Sequence, residues 1–431
     1  MASEPNSAIA YDVVVTGAGA AGLLAASRSA ERGRRTLLVE KNRKPGVKIL
    51  MSGGTRCNIT HACEAAGIIA AFGSAGAFLH SPLAALSPGQ LVELLNAEGL
   101  RTKVEPGGKI FPQSDRALDV LNALLRRLHR SGAELALDEA VTAIERDGDG
   151  FRVQTIRRSL RCEKLIVTTG GKSYPGSGTT GDGYDWLARL GHTIRRPRPA
   201  LVPLTSDEVW LRELSGVTIP DVVLRVIDPR QVTAVDRKRR RGPLAPGVLI
   251  ERRGSLLFTH FGLSGPVALD VSRAVTAAAN PRELVLVADF LPNVAADELD
   301  DLLRSVAATD GKRSVANVVA ADLPRRLADA LLARADVPLD RRAAELSKSE
   351  RGRLVDQLKR CEIEVSGTRG FNKAEVTAGG VALDEVDSRT MQSKLVPNLY
   401  LAGEILDLDG FIGGYNFQAA FSTGWLAGES V

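Results

Sequence analysis

Only four cysteines, Cys57, Cys63, Cys162 and Cys361, are spread over 431 residues, and no pair has C-x-x-C spacing. Neither a disulfide framework nor a cysteine zinc site is indicated, no metal is expected, and a reducing cytoplasm fits. No apolar run approaches the ~18 residues that cross a bilayer. The opening MASEPNSAIA has no charged-then-apolar leader pattern, so a cytoplasmic protein with no membrane partner is expected. Aromatics are scarce at 4%, which gives weight to each one beside a motif, and there is no internal repeat. The remainder is ordinary for a globular chain, with 44% hydrophobic and 25% charged residues and enough length for two or three domains. A net charge of +5 and a pI near 9.1 permit nucleic-acid contact without requiring it.

The most informative stretch is residues 11–58. Val13 to Thr16 read as a short buried strand, and Gly17-Ala18-Gly19-Ala20-Ala21-Gly22 follows as G-x-G-x-x-G and opens a helix that Gly33 stops. In such a turn Gly17 permits the tight bend, Gly19 lets a pyrophosphate approach, and Gly22 lets helix pack on strand, while the helix N-terminus offers its N–H groups to the anion. A second strand, Thr36 to Val39, ends in Glu40, placed to accept ribose hydroxyls. A carboxylate there disfavours a 2′-phosphate, so the bound nucleotide is FAD or NAD(H). The next loop, NRKPGVKILMSGGTRCNIT, lies by position over phosphates and ring: Lys48 and Arg56 are candidates to neutralise pyrophosphate, and Gly53-Gly54 allow close backbone approach.

Within that loop SGGTRCN closely resembles the S-G-G-G-R-C-N signature of a group of bacterial FAD-dependent oxidoreductases that includes aminoacetone oxidase, bile-acid C=C reductases and a dihydrouridine synthase of large-subunit ribosomal RNA. Further agreements continue along the chain. GKIFPQSD resembles the group's G-R-V-F-P-x-S-D, and KSYPGSGTTGDG its K-S-Y-P-x-x-G-S-T-G-D-G. LLFTHFGLSGP follows L-L-F-T-H-x-G-L-S-G-P, and the long GGVALDEVD to GGYNFQ stretch matches at the C-terminal end.

The resemblance implies an α/β fold, with an FAD-binding Rossmann-like domain of the glutathione-reductase type interrupted by an inserted β-rich and helical domain. The expected boundaries are 1–200 for the first part of the FAD domain, 201–365 for the insertion (β-rich about 201–293, helical about 294–361) and 366–431 for the return. It also implies which residues meet FAD. Besides Gly17, Gly19, Ala20, Ala21, Gly22 and Glu40, they are Lys41, Lys48, Gly53, Arg56, Cys57 and Asn58 in the first loop. Val141 is placed at the adenine, and Thr169 and Gly170 where the chain returns. Gly403, Glu404, Gly413, Gly414, Tyr415, Asn416 and Phe417 lie where the last helix points its positive end at the flavin's N1/C2 region. Tyr174, Thr259, His260 and Phe411 are substrate candidates. Phe411 stands where a small or polar residue is expected.

Pattern alone also predicts local structure. A helix is expected from Leu91 to Gly99 after Ser87-Pro88, and another over 117–132 capped by Ser114 and ended by Gly132. Strands are expected over 139–147, 151–156 and 160–168, and apolar helix spacing appears at Leu302-Leu303, Leu331-Leu332 and Leu354 to Leu358. Arg195 to Pro199 mark a boundary.

Because the flavin carries the hydride chemistry, catalytic residues are poorly written in such a sequence, and His260, Tyr415 and Cys57 are only candidates. Cys57 lies where disulfide reductases keep a redox pair, but position 62 is alanine and Cys63 is one residue off the C-x-x-x-x-C spacing. No second G-x-G-x-x-G marks a resident NAD(P)H, which is expected as a transient donor. Three functions stay open. One is an NAD(P)H-driven reductase of an activated C=C bond, acting on a small molecule or on uridine in ribosomal RNA, with Arg195, Arg196, Arg198 and the run 237–241 as a phosphate surface. The second is an oxygen-using oxidase of an aminoacetone-type amine, and the third a non-catalytic flavin protein.

Overall fold

The computed structural model describes residues 10–231 and 247–431, so the basic run 237–241 lies outside the described residues. The described residues up to Pro199 join Glu375–Val431 in one compact unit, and Ala200–Ala374 form a second.

The first unit is built on a sheet whose parallel core is hydrophobic on both faces, as strands covered by helices on each side must be. Ala10–Thr16 pairs in parallel with Thr36–Val39 on one side and Ser159–Val167 on the other, and Glu134–Ala136 extends the sheet beyond Thr36–Val39. The last half of Ser159–Val167 carries Leu399–Leu401 in parallel, so the C-terminal strand enters the sheet one strand away from Ala10–Thr16. Its first half pairs antiparallel with Gly150–Thr155, which continues to Val141–Asp147. Val13, Val14, Leu38, Leu165 and Leu401 are fully buried. Two helices from opposite ends of the chain pack together against this core: Ala20–Glu31, which opens the glycine motif, and the final helix Tyr415–Ser430. Their approach is backbone-close, since a methyl group added at Gly424 would meet the Ala21 carbonyl oxygen at 2.3 Å and one at Gly428 would meet that of Ala25 at 2.4 Å.

Most of the expected local structure is present. The helix Pro88–Ala97 starts with a capping box between Ser87 and Gln90. Ala117–Ser131 ends at Gly132, whose φ of +83 closes the turn in the left-handed region. Ser114 does not cap that helix. Its hydroxyl donates to Asp119 at 2.6 Å, and Arg116 holds the N-cap position. The loop after Glu40 is partly helical, because Val47–Thr55 coils until Ser52, Gly53 and Gly54 break it.

The second unit is an antiparallel sheet with helices. Its seven strands run in the order Cys361–Glu364, Val285–Asp289, Thr218–Ile227, Val248–Thr259, Gly262–Ser264, Leu204–Thr205 and Gly367–Thr368. Leu224, Phe258, Leu286 and Phe290 share one buried cluster with Leu327, Leu331, Leu354 and Leu358 from the helices Arg325–Arg334 and Lys348–Lys359. Because Cys361–Glu364 and Gly367–Thr368 are strands of this sheet, the unit runs on to Ala374, beyond the expected 365. Among the described residues no helix is long and apolar enough to cross a membrane, and no group of side chains forms a metal site.

Candidate cofactor site

The site starts from the glycines. Gly17 has φ +98 and lies against the Thr168 carbonyl, where an added methyl group would come to 2.8 Å. At Gly22 the same methyl would meet the Gly17 carbonyl oxygen at 1.9 Å and Thr168 Oγ1 at 2.6 Å, so only hydrogen fits. Thr168 completes this wall by donating from Oγ1 to the carbonyls of Thr16 and Gly17, both at 2.9 Å. Gly19 is different: a methyl group there would meet nothing within 4 Å among the described residues. Two glycines are thus demanded by packing, while the third faces open space at the start of a helix that no side chain caps. A pyrophosphate fits that opening and would take the first-turn N–H groups around Ala20 and Ala21 as its donors.

Glu40 supports the same turn. Its carboxylate accepts from the Ala18 N–H at 2.7 Å and from the Asn42 N–H at 2.8 Å, which fixes both oxygens and leaves each a further lone pair for a ribose hydroxyl. Lys41 binds Thr180 and Asp182, both at 2.6 Å. Burial alone would raise the Asp182 carboxyl, but the hydrogen bonds from Lys41 and Thr180 hold it below the ordinary aspartate range.

Lys48 and Glu404, from opposite ends of the chain, form an ion pair. Lys48 Nζ also donates to Ser173 at 2.6 Å, and the other Glu404 oxygen accepts from the Ser173 hydroxyl and the Thr377 N–H, both at 2.7 Å. Thr377 Oγ1 in turn accepts from the N–H groups of Lys172 (2.8 Å) and Ser173 (3.0 Å). Ser173 and Thr377 were not singled out from the sequence, although each sits inside a matching motif, K-S-Y-P and V-T-A-G-G. The Lys48 charge is therefore already balanced by a carboxylate. Arg56 is engaged as well, at 2.7 Å from Glu105 and 3.3 Å from Asp115, with its guanidinium 4.1 Å from the Phe111 ring centroid.

Cys57 is fully buried, and desolvation pushes its thiol up to about 12 despite a hydrogen bond with Ser52. Burial raises the Cys63 thiol too, and all four cysteines are free. A thiol held neutral is a poor nucleophile, and the pair has none of the electrostatics of a redox dithiol.

The C-terminal segment closes the site. Gly403 (φ +79) lies beside Ala21, where an added methyl would come to 2.9 Å from the alanine Cβ, and the Gly403 N–H donates to Thr423. Gly414 (φ +91) precedes the last helix, again with no side-chain cap. It packs on the Thr60 backbone, and with its amide turned to satisfy both neighbours Asn58 accepts from the Gly414 N–H at 2.9 Å and donates to the Thr60 carbonyl. Gly413 lies under the Tyr415 ring, which stacks at 4.9 Å on His61. His61 is a further residue that pattern did not single out. Its Nε2 meets the Gly107 carbonyl at 2.8 Å, while Nδ1 is buried without a partner among the described residues. Asn416 fixes the preceding loop through the Gly410 N–H and carbonyl, Phe417 stacks on Phe421, and the Phe411 N–H donates to the Ala71 carbonyl.

Thr169 Oγ1 is buried with no partner among the described residues, and Gly170 takes φ +74 beside it. Tyr174 adopts φ +55 at the start of a short turn, and Val141 begins its strand opposite Thr155. Thr259 and His260 belong to the inserted unit, where Thr259 Oγ1 donates to the Gly262 carbonyl and closes a two-residue hairpin with His260 at its exposed tip.

A parallel sheet, an open glycine turn at one helix and a second uncapped helix from the far end of the chain define an FAD-dependent oxidoreductase. The family model for the HI0933-like protein Rossmann domain matches residues 11–430, and the chain belongs to that family. Over 424 residues it is 33% identical to the ribosomal RNA dihydrouridine synthase of Escherichia coli (strain K12), covering 98% of each chain. It is 31% identical to the protein of the same name from Haemophilus influenzae, over 97% of this chain and 98% of that one. The 3-dehydro-bile acid delta(4,6)-reductase of Clostridium scindens is 29% identical over 420 residues, 97% of this chain and 98% of its own.

Proposed function

We propose that this protein is an NAD(P)H-driven reductase of an activated C=C bond, with uridine in large-subunit ribosomal RNA as its substrate. The observation that carries the reading is end-to-end similarity, over 98% of both chains, to a relative named for that reaction, together with a second relative named as a reductase. Making dihydrouridine adds two hydrogens across a ring C=C conjugated to a carbonyl, so one NAD(P)H and one proton are consumed for each uridine saturated.

Bound FAD would supply the hydride chemistry itself. The chain's own residues do the holding. Gly17, Gly19 and Gly22 shape the pyrophosphate cradle, and Glu40 presents its free lone pairs to the ribose. Asn58 and Gly414 set the start of the last helix, whose positive end favours negative charge. The Lys48, Glu404, Ser173 and Thr377 network fixes four separate segments around the opening. The neutral, buried thiol of Cys57 argues against a dithiol relay.

The test is anaerobic reduction of the purified holoprotein by NADH and by NADPH, followed by reoxidation with unmodified ribosomal RNA fragments and assay for dihydrouridine. Bleaching by one nicotinamide and recovery of the yellow colour with RNA support the reading. Oxygen-coupled turnover of aminoacetone would replace it with an amine oxidase, and a flavin that no donor reduces would leave a non-catalytic protein.

A further inference from the structure

In the inserted unit arginine after arginine is neutralised by a neighbouring carboxylate: Arg225 by Glu251, Arg253 by Asp221, Arg325 by Asp329, Arg334 by Glu208. Arg369 stands among those not so paired within the described residues, as do Arg326 and Arg342. It is exposed and makes no ion pair with a described carboxylate. Its guanidinium instead lies 4.6 Å from the ring centroid of Phe261. The exposed His260 meets the same ring edge-on at 5.0 Å and 81°. Lys373, also exposed and without an ion pair among the described residues, follows four positions after Arg369.

Two loops build this cluster, and both are fastened to the same short strand, Leu204–Thr205. Leu204 pairs with Leu263 on one side and Thr368 on the other. The Arg369 N–H donates to the Pro203 carbonyl at 3.0 Å, and the Phe261 carbonyl accepts from the Ser206 N–H at 3.1 Å. Thr259 closes the hairpin beneath. The stack is therefore mounted on fixed backbone, in a chain with few aromatics to spend.

We infer that Phe261, Arg369, Lys373 and His260 form a contact surface for single-stranded RNA, a proposal that rests on the ribosomal RNA reading above. Unpaired bases are gripped by aromatic faces and planar guanidinium groups, and their phosphates by uncompensated cations. An arginine laid on a half-buried phenylalanine, with a lysine four residues further along the same segment, supplies both. The paired arginines elsewhere in the unit have no net charge to offer.

The experiment measures binding of the FAD-loaded protein to a labelled single-stranded oligouridine, with a duplex RNA of equal length for comparison, across a salt series. Phe261→Leu should weaken single-strand binding about ten-fold and leave the salt slope unchanged. Arg369→Ala should weaken it and also lower the slope by about 0.7, the loss of one phosphate contact to a single strand. Arg369→Lys should restore the slope but not the full affinity, and Phe261→Tyr should restore affinity, which guards against a variant that simply folds badly. Wild-type protein that binds RNA while the Leu and Ala variants bind as tightly would overturn this surface and leave the substrate reading standing. Equal losses in both variants with unchanged slopes would also overturn it, since a merely structural stack behaves that way. Wild-type protein with no affinity for any RNA would remove the substrate reading and this surface together.

Discussion

In the nucleotide-binding unit a single methyl group at Gly22 would sit 1.9 Å from a carbonyl oxygen, and one at Gly424 would sit 2.3 Å from another, whereas in the inserted unit Arg325 and Asp329 meet at 2.7 Å on an exposed helix face. The first unit holds a ligand by bringing backbone against backbone, so its function is written in residues that must be small. The second is an antiparallel sheet under helices, whose identity lies in ordinary hydrophobic packing and whose surface can change freely except where a charge goes unmatched. Cofactor binding is therefore sensitive to the smallest substitution in one unit, while most of the other unit's surface tolerates change.

That contrast can be broken at several levels. Gly22→Val has the largest expected effect. The branched side chain enters the Gly17 carbonyl on one side and the Thr168 hydroxyl on the other, costing about 3 kcal/mol or more, and the variant should lose soluble yield and FAD together. A stable yellow Gly22→Val protein would contradict the packing argument.

A smaller effect is expected where the return segment is held. His192 donates from Nδ1 to Glu385 at 2.9 Å and shares a 2.9 Å bond with Ser393 through Nε2, while the Thr193 N–H also donates to Glu385. Burial would raise the Glu385 carboxyl, but the hydrogen bonds from Thr193 and His192 hold it below its ordinary value. Its contribution is thus complete above the usual glutamate pKa of about 4.3 and disappears as pH falls through the lowered folded value. Glu385→Gln should cost about 1 kcal/mol at neutral pH, and the gap to wild type should close in acid. A gap that stays constant with pH would show that the carboxylate charge is irrelevant.

Next comes a predicted absence of reaction. Cys57, with its thiol near 12, should resist alkylation at pH 8 in the folded protein and react only on unfolding, as mass spectrometry of digested samples would reveal. Smallest of all, Arg325→Ala should shift stability by no more than ~0.5 kcal/mol, because an exposed pair contributes little. A large loss there would erase the distinction between the units.

Much of the first unit was legible because the constraint is local. A strand, a G-x-G-x-x-G turn and a helix lie within one stretch, and the Ser87 capping box and the Gly132 stop are likewise read from neighbours in sequence. The ion pair of Lys48 with Glu404 was not legible, since 356 residues separate the partners and nothing near either one names the other. Sequence motifs place both at the cofactor, but do not single out Ser173 and Thr377. Arg56 looked like a pyrophosphate counter-ion because its own loop is basic, while Glu105 and Asp115, which engage it, come from a different part of the chain. The second unit runs past 365 to Ala374, because Gly367–Thr368 is too short to stand out and only pairing within the sheet reveals it.

Function in this chain begins with one binding event, in which Gly19's open turn receives the pyrophosphate of FAD and both ends of the chain enclose it. The most direct measurement is the visible absorbance of purified wild-type protein and of Gly19→Asp, with the released nucleotide quantified. The structure predicts a yellow wild type carrying FAD. It also predicts a folded but colourless variant, because nothing crowds the new side chain while its carboxylate faces the phosphates. A wild type that binds no flavin, or a Gly19→Asp protein that stays yellow, would contradict it.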